Sequence, residues 1–369
     1  MKNYDILILA TFPAPYRVEI FNLLAKKFNI IVFWENKLDG TRDANYYSNN
    51  FLFDSYNLLD ADGKLKFKEV NRNLKKFKLY LAYDYYLKNS IITQLKCKRK
   101  NIPYVINSDG AFIKKRSYKD ILKKYLIKNA RFCFASGDNA KKYFLYYGAK
   151  KENIAIHNFS SLFKNEILLE PVSIVEKEKY KKSLNLPSKT TFISIGQFIE
   201  RKGFNYLIDA WSNINDNNVQ LLIIGGGPLK KDYLECIKQR NIKNIYILDY
   251  LDHSKILEYY KASDYFILPT LEDIWGLVIN EAMAYGLPVI TTDKCIAGLE
   301  LLKKSNGGII VKSASSLELQ NGIKEILKKN YNEMSLSNLN CIRDYTYESV
   351  AQSHIQVINE IIGEENDDK

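Results

Sequence analysis

Cysteine is sparse in this chain and never paired in sequence. The five residues Cys97, Cys133, Cys236, Cys295 and Cys341 are scattered through 369 positions with no CxxC spacing. That excludes a disulfide framework or a cysteine-based zinc site, and fits reduced thiols in a cytosol. Histidine is scarcer still: among His157, His253 and His354 no pair has metal-ligand spacing, so no metal is expected. Long apolar runs are missing too, and none approaches the roughly 18 residues that suit a membrane span. Residues 4–10 are apolar but short, with no basic run before them and no small-residue cleavage site. They read as a first strand, not a signal peptide. A dinucleotide fingerprint is also absent. Gly225-Gly226-Gly227-Pro228 has neither its spacing nor a downstream acid for a ribose, so no NAD or other cofactor is expected.

What is present is length, apolar content and a lopsided charge. At 369 residues, 46% of them hydrophobic, the chain has material for two packed cores, and two domains are expected. The net charge of +12 is unevenly placed. Residues 1–170 hold 31 Lys and Arg against 16 Asp and Glu, a net +15, while the remainder holds 23 against 26, a net −3. The excess lies in residues 64–78, 96–100 and 114–128. Such one-sidedness points to an anionic partner: a membrane leaflet, a nucleic acid or a phosphorylated substrate. The alternative is a lysine-rich composition that only solvates helices.

Strand-like and helix-like segments alternate along the chain. Residues 6–10, 30–33, 104–107 and 132–135 read as strands, with helices at 17–28 and 118–129. Residues 166–188, rich in Lys and Glu with Pro171 and Pro187, form the expected linker. A second series follows, with strands at 191–195, 220–224, 245–248, 265–268 and 289–291. Helices are expected at 204–211, 229–240, 254–261 and 275–285, and a tail helix at 347–362 is long enough to pack back on the first domain. Residues after Gly363 are polar and expected to fray. The pattern implies an α/β chain of two doubly wound domains: residues 1–170 with the tail at 345–363, and residues 188–344. Ligands of such sheets sit off the carboxyl ends of the strands, so the chemistry is expected in the cleft where the domains face each other.

Three segments carry that chemistry. In Glu272-Asp273-Ile274-Trp275-Gly276-Leu277, two acids occupy a strand-to-helix turn, and Glu281 lies further along the helix. Free amides at a helix start attract phosphate, and carboxylates accept hydrogen bonds from sugar hydroxyls. Gly196 permits a turn after the first strand of the second domain, and Arg201 with Lys202 then places two cations suited to a diphosphate. In the first domain Pro15, Tyr16 and Arg17 follow the first strand as candidate acceptor contacts. Asp109 follows another, as a general base, an acceptor-orienting group or simply a turn-forming Asp before Gly110. Asp60-Ala61-Asp62 has the spacing of a metal-binding pair but reads as a solvated loop, and His157 is a candidate to line the cleft.

These residues resemble a known family. Asp273 to Glu281 is similar to the acid-x7-acid motif of the retaining glycosyltransferases of family four, with Asp273 where most members have Glu. Gly196-Arg201-Lys202-Gly203, the Gly225-x-Gly227-Pro228 turn and Gly286-Leu287-Pro288-Val289 resemble further family segments. The region of Tyr16-Arg17 and Asp109-Gly110 is similar to bacterial surface-polysaccharide members. The resemblance implies a GT-B fold and transfer of a sugar, with retained configuration and no metal, from a nucleotide diphosphate sugar, with UDP the expected nucleotide. Glu281 would hold the donor ribose. Asp273 with Ile274, Trp275, Gly276 and Leu277 would meet the sugar and phosphate, Arg201 and Lys202 the leaving diphosphate, and Tyr250 the base. The expected acceptor is lipid-linked or polysaccharide, in cell-surface glycan synthesis, and the basic first domain would bring a cytoplasmic enzyme to the inner face of the bacterial membrane. A nucleotide-sugar hydrolase or epimerase of the same fold is the alternative. A nucleic-acid-binding protein is disfavoured, because the basic runs lack an ordered aromatic platform.

Overall fold

The structure, a computed structural model, describes residues 3–37, 50–113, 119–214 and 216–367. The chain divides into two compact units, Met1–Ser161 with Thr346–Lys369, and Leu162–Tyr345. Residues 114–118 of the basic stretch 114–128, and the last two residues of the tail, lie outside the described residues.

The first unit is built on seven parallel strands: β1 (Ile6–Ala10), β2 (Ile30–Trp34), β3 (Asp54–Asn57), β4 (Leu79–Ala82), β5 (Tyr104–Ser108), β6 (Phe132–Ala135) and β7 (Ile154–Ile156). Their spatial order is β3-β2-β1-β4-β5-β6-β7. Helices cover both faces of such a sheet, so its strands read as unbroken apolar runs, and every residue of β1, β2, β4, β5 and β6 is buried. The order reverses direction between β1 and β4. At that reversal the connections leave to opposite faces and open a crevice.

The tail helix Tyr347–Asp367 joins this unit, packing on helix Pro15–Ala25. At its inner face the His354 ring stacks on Phe134 at 3.8 Å and meets His157 at 5.1 Å. His354 Nδ1 donates to the Val350 carbonyl at 2.8 Å, which leaves Nε2 to accept from the Tyr83 hydroxyl at 3.3 Å. His157, expected to line a cleft, is instead buried among Phe134, Phe159 and His354.

The second unit has six parallel strands: β8 (Thr190–Ile195), β9 (Val219–Ile224), β10 (Ile245–Leu248), β11 (Tyr265–Leu268), β12 (Val289–Thr292) and β13 (Gly308–Val311). They are ordered β10-β9-β8-β11-β12-β13, and the reversal falls between β8 and β11.

Two expectations are corrected by local physics. The stretch read as a linker contains the helix Ile174–Ser183, started by a capping box in which Ser173 and Glu176 exchange hydrogen bonds at 3.3 Å. Lys177 and Lys181, four residues apart and so on one face, are buried rather than solvated. Lys177 meets Asp264 at 2.8 Å and the Tyr331 hydroxyl at 2.6 Å, and Lys181 lies 3.4 Å from Asp264. The second correction is Asp60-Ala61-Asp62, which opens the helix Ala61–Arg72 with Asp60 paired to Lys37 at 2.7 Å.

Burial sets a pH dependence. It pushes His354 down to about 4 and His157, also facing His354, well below the ordinary imidazole value. In the unfolded chain both take a proton near 6.5. The folded values are the lower ones, so this contribution is complete above about pH 6.5 and is lost as pH falls. The loss is up to about 1.4 kcal/mol per pH unit for each ring. Urea denaturation should show stability falling between about pH 6.5 and 5, where carboxylates are still largely ionised. A His157→Phe, His354→Phe double variant should lose most of that slope. An equal slope in the double variant would contradict the assignment.

Candidate functional site

The second unit brings its candidate residues together at the strand reversal. After β8 the chain makes a short 3-10 turn, Glu200–Lys202, and leaves it at Gly203 with φ of 69°. A side chain at Gly203 would collide with the Pro269 carbonyl, so this glycine allows the turn to press on the end of β11. Two hydrogen bonds fasten the contact, from the Leu271 amide at 2.8 Å and the Thr270 hydroxyl at 3.0 Å, both to the Arg201 carbonyl. The side chains then cross the seam. Lys202 Nζ lies 2.5 Å from Asp273 Oδ2, while Arg201 donates to the Glu272 carbonyl at 2.7 Å and lies 3.8 Å from Asp273 Oδ1.

Asp273 is buried, and the loop that carries it is held from behind by residues after β12. Its amide donates to the Lys294 carbonyl at 2.8 Å, and its carbonyl accepts from Ile296 at 3.2 Å. The Trp275 carbonyl receives the Ala297 amide at 2.8 Å and the Cys295 thiol at 3.1 Å. Burial, reinforced by the nearby Asp273 charge, pushes Cys295 up to about 12, so the thiol stays protonated and donating. Sequence reading gave no role to this backing loop, since nothing in Lys294-Cys295-Ile296-Ala297 marks it chemically.

The helix expected from residue 275 begins at Leu277. Gly276 precedes it at φ of 100°, and a side chain there would sit 2.7 Å from Cys295 Sγ. Trp275 thus belongs to the turn, its indole donating to Asn280 at 2.9 Å. Glu281 stands one helical turn beyond Leu277, on the same face, and accepts from the Tyr260 hydroxyl at 3.1 Å. Tyr285 stacks on Tyr260 at 5.5 Å. Nearby, His253 lies 3.4 Å from Glu166; that hydrogen bond, then the Glu281 charge, raises the His253 pKa. Ile274 is half exposed, and Gly196 donates to the Ile224 carbonyl at 3.0 Å. Tyr250 follows β10, the edge strand two places from β8, and so stands apart from the reversal.

The first unit gathers a different set. Pro15 opens helix Pro15–Ala25, where its missing amide costs nothing. Arg17 is buried and forks onto Asp84, at 2.9 Å to Oδ2 and 3.2 Å to Oδ1, and reaches Asp109 Oδ2 at 3.1 Å. The Tyr16 hydroxyl donates to the same Asp109 oxygen at 2.9 Å, and Asn107 donates to the other at 2.8 Å. Asp84 also takes the Thr11 amide at 2.7 Å. Nothing in the sequence around Asp84 marks it as part of this cluster. Among the described residues, no group of three or more His, Cys, Asp or Glu side chains is arranged to hold a metal ion.

Known proteins resemble this chain in sequence over the second unit and in fold. A family model described as Glycosyl transferases group 1 matches residues 176–339, wholly inside the second unit. An uncharacterized glycosyltransferase of Methanocaldococcus jannaschii is 26% identical over 190 residues, 49% of this chain and 48% of that protein. The amylovoran biosynthesis glycosyltransferase AmsD of Erwinia amylovora is 28% identical over 171 residues, 45% of this chain and 47% of that protein. The chain therefore spans about half the length of these relatives. Among solved structures, HepE of Anabaena in complex with UDP and glucose aligns with a TM-score of 0.73 at 15% identity, over 96% of this chain and 99% of that one. At that identity the likeness shows the fold. Residues 176–339 thus match the group 1 glycosyl transferase family, and the two Rossmann-like sheets of the chain are those of a GT-B fold.

Proposed function

We propose that this protein is a retaining hexosyltransferase that moves a sugar from a nucleotide diphosphate sugar, with UDP the expected nucleotide, to a lipid-linked or polysaccharide acceptor in surface-glycan synthesis. The observation that carries this reading is the convergence of Arg201, Lys202 and Asp273 at the β8–β11 reversal, beside the start of the Glu281 helix. A departing diphosphate needs its growing charge met. Lys202 supplies a point charge, Arg201 a fork, and the first amides of helix Leu277–Ala284 the positive end of a dipole. Two cations so placed serve where other enzymes use a metal, and on that ground the reaction is proposed to need none. Asp273 accepts from sugar hydroxyls, and Glu281, steadied by Tyr260, accepts from the ribose.

The acceptor oxygen attacks the anomeric carbon from the face the diphosphate leaves. The new C–O bond forms as the bond to the phosphate oxygen breaks, and the acceptor proton passes to that oxygen. Configuration is retained without a covalent sugar–enzyme species. The first unit holds the acceptor through Tyr16, Arg17 and Asp109; with three donors already on its carboxylate, Asp109 is assigned to orienting rather than taking a proton. The relatives' names support the biological setting, since one is a glycosyltransferase of amylovoran biosynthesis and another of O-antigen biosynthesis.

The same reading places the protein on the inner leaflet of a membrane. Among the described residues no helix is long and apolar enough to cross one. Two adjacent helices of the first unit, Lys88–Arg99 and Lys119–Asn129, expose Ile92, Leu95, Ile121, Leu122 and Tyr125 among lysines. Apolar side chains ringed by cations suit an anionic lipid surface, where each cation contributes about 1 kcal/mol. Sedimentation with vesicles containing phosphatidylglycerol at low salt should pull the protein down, and an Ile121→Ser, Leu122→Ser variant should stay in solution. Equal binding of both proteins would remove the membrane part.

The transfer itself is tested with Glu281→Ala. Nucleotide sugars are first screened for a raised melting temperature, which donor binding requires by mass action. With the donor so found, turnover should fall by about a hundredfold or more, the loss of roughly 2.7 kcal/mol or more of transition-state stabilisation. Unchanged turnover in a folded variant would remove the site, and sugar release without acceptor would convert the reading to a hydrolase.

A further inference from the structure

The strand reversal of the first unit, between β1 and β4, carries a charge pattern opposite to that of the second. Arg17 from the β1 side faces Asp84 after β4 and Asp109 after β5, so one guanidinium meets two carboxylates. All three are largely buried, with side-chain exposures of 7% for Arg17 and Asp84 and 11% for Asp109. Both terminal nitrogens of Arg17 donate to these carboxylates, Nη1 to Asp84 and Nη2 to Asp84 and Asp109. Two buried polar atoms in the same cluster, Arg17 Nε and Asn107 Oδ1, have no hydrogen-bond partner among the described residues. Buried polar groups are nearly always satisfied by protein, water or ligand, so an unmet donor and an unmet acceptor on residues that share Asp109 mark a place where something polar belongs.

One exposed aromatic side chain reaches this cluster through its hydroxyl. Tyr86 is 60% exposed, although its hydroxyl lies 3.4 Å from Asp84 Oδ1. Burial of that oxygen, with the Asp84 charge beside it, pushes the Tyr86 phenol up to about 12, so it remains a neutral hydroxyl. An exposed aromatic face offers a negative π surface to the C–H bonds of a pyranose ring, or to an ammonium group. The carboxylates of the cluster offer acceptors for hydroxyl donors.

Resting on the reading of the first unit as the acceptor unit, we propose that this crevice seats a neutral or amine-bearing sugar ring of the acceptor, with Tyr86 as its platform and Asp84 as a specificity residue. Phosphate and carboxylate groups are excluded from it. An anion here would compete with two fixed carboxylates for a single guanidinium already engaged on both sides, whereas hydroxyls and ammonium groups meet complementary partners. The positive charge of the unit lies elsewhere, on helices such as Ala61–Arg72, Lys88–Arg99 and Lys119–Asn129. A phosphate of a lipid-linked acceptor belongs to those helices and the sugar ring to the crevice.

The test is saturation-transfer NMR on the full chain with separate probes: methyl glycosides of glucose, galactose and N-acetylglucosamine, glucosamine, glucuronic acid and glucose 1-phosphate. At least one neutral or amino sugar should give a signal whose affinity drops about tenfold in Tyr86→Ala, corresponding to about 1.4 kcal/mol. Tyr86→Phe, which keeps the platform, should lose less, and Asp84→Asn should weaken the same sugar. The exposed position of Tyr86 keeps the first two variants folded. The proposal is overturned if no neutral or amino sugar binds, if binding is indifferent to Tyr86, or if an acidic sugar alone shows Tyr86 dependence. Thermal stabilisation of the wild-type protein by nucleotide sugars, measured alongside, separates the two readings. Its absence removes the proposed function, and its presence without a Tyr86-dependent sugar removes this inference alone.

Discussion

The contact between Lys202 and Asp273 fixes the second unit at the point where its sheet changes direction. The two residues are 71 apart in sequence, on turns that follow neighbouring strands. Their side chains are almost enclosed, so the pair is held in one geometry rather than sampling many. Much of the surrounding structure serves that geometry. Gly203 lets the Lys202 turn approach Pro269, and Gly276 lets the Asp273 loop pass Cys295 before the helix begins. The residues after β12 then lock the loop from behind through four hydrogen bonds. A buried carboxylate beside a lysine is costly to desolvate and gives little net stability, and such pairs persist where they hold a site in register. Under the proposed function the pair would hold an ammonium ready for a phosphate, because a diphosphate oxygen can share Lys202 with Asp273 as sugar hydroxyls occupy the carboxylate.

The first unit repeats the device with the signs exchanged. Both sheets reverse beside their first strand, and both reversals are bridged by a basic side chain that follows that strand and an acid that follows its neighbour. In the second unit two cations meet one buried acid; in the first, two acids meet one cation. Under the proposed function, the excess of positive charge suits release of a diphosphate and the excess of acceptors suits presentation of hydroxyls. The overall +15 of residues 1–170 conceals this, since a sum over surface helices says nothing of the sign at the strand ends.

How much was legible in the sequence followed the range of the interactions involved. Apolar runs such as Ile6–Ala10 and Tyr265–Leu268 are strands because a two-sided parallel sheet needs unbroken apolar residues, a local and therefore readable demand. β3, with the polar run Asp-Ser-Tyr-Asn, is an edge strand only half buried and carried no such mark. Helix Ile174–Ser183 looked solvated because Lys177 and Lys181 find their partner, Asp264, more than eighty residues away. Asp84 was silent for the same reason: β4 is four residues long, and the acid gains meaning only from Arg17, 67 positions earlier. The facing of His157 and His354 depends on the tail helix returning to the first unit and could not be read from either segment alone.

The central claim is that Lys202 and its partners bind the diphosphate of a nucleotide donor. Calorimetric titration with a nucleoside diphosphate and with its parent nucleoside tests it most directly, on the wild-type protein and on Lys202→Met. The account predicts that the diphosphate binds the wild type more tightly than the nucleoside does. In the variant the diphosphate should lose about tenfold or more in affinity, about 1.4 kcal/mol, while the nucleoside is unaffected. Equal diphosphate affinity in the two proteins would contradict it.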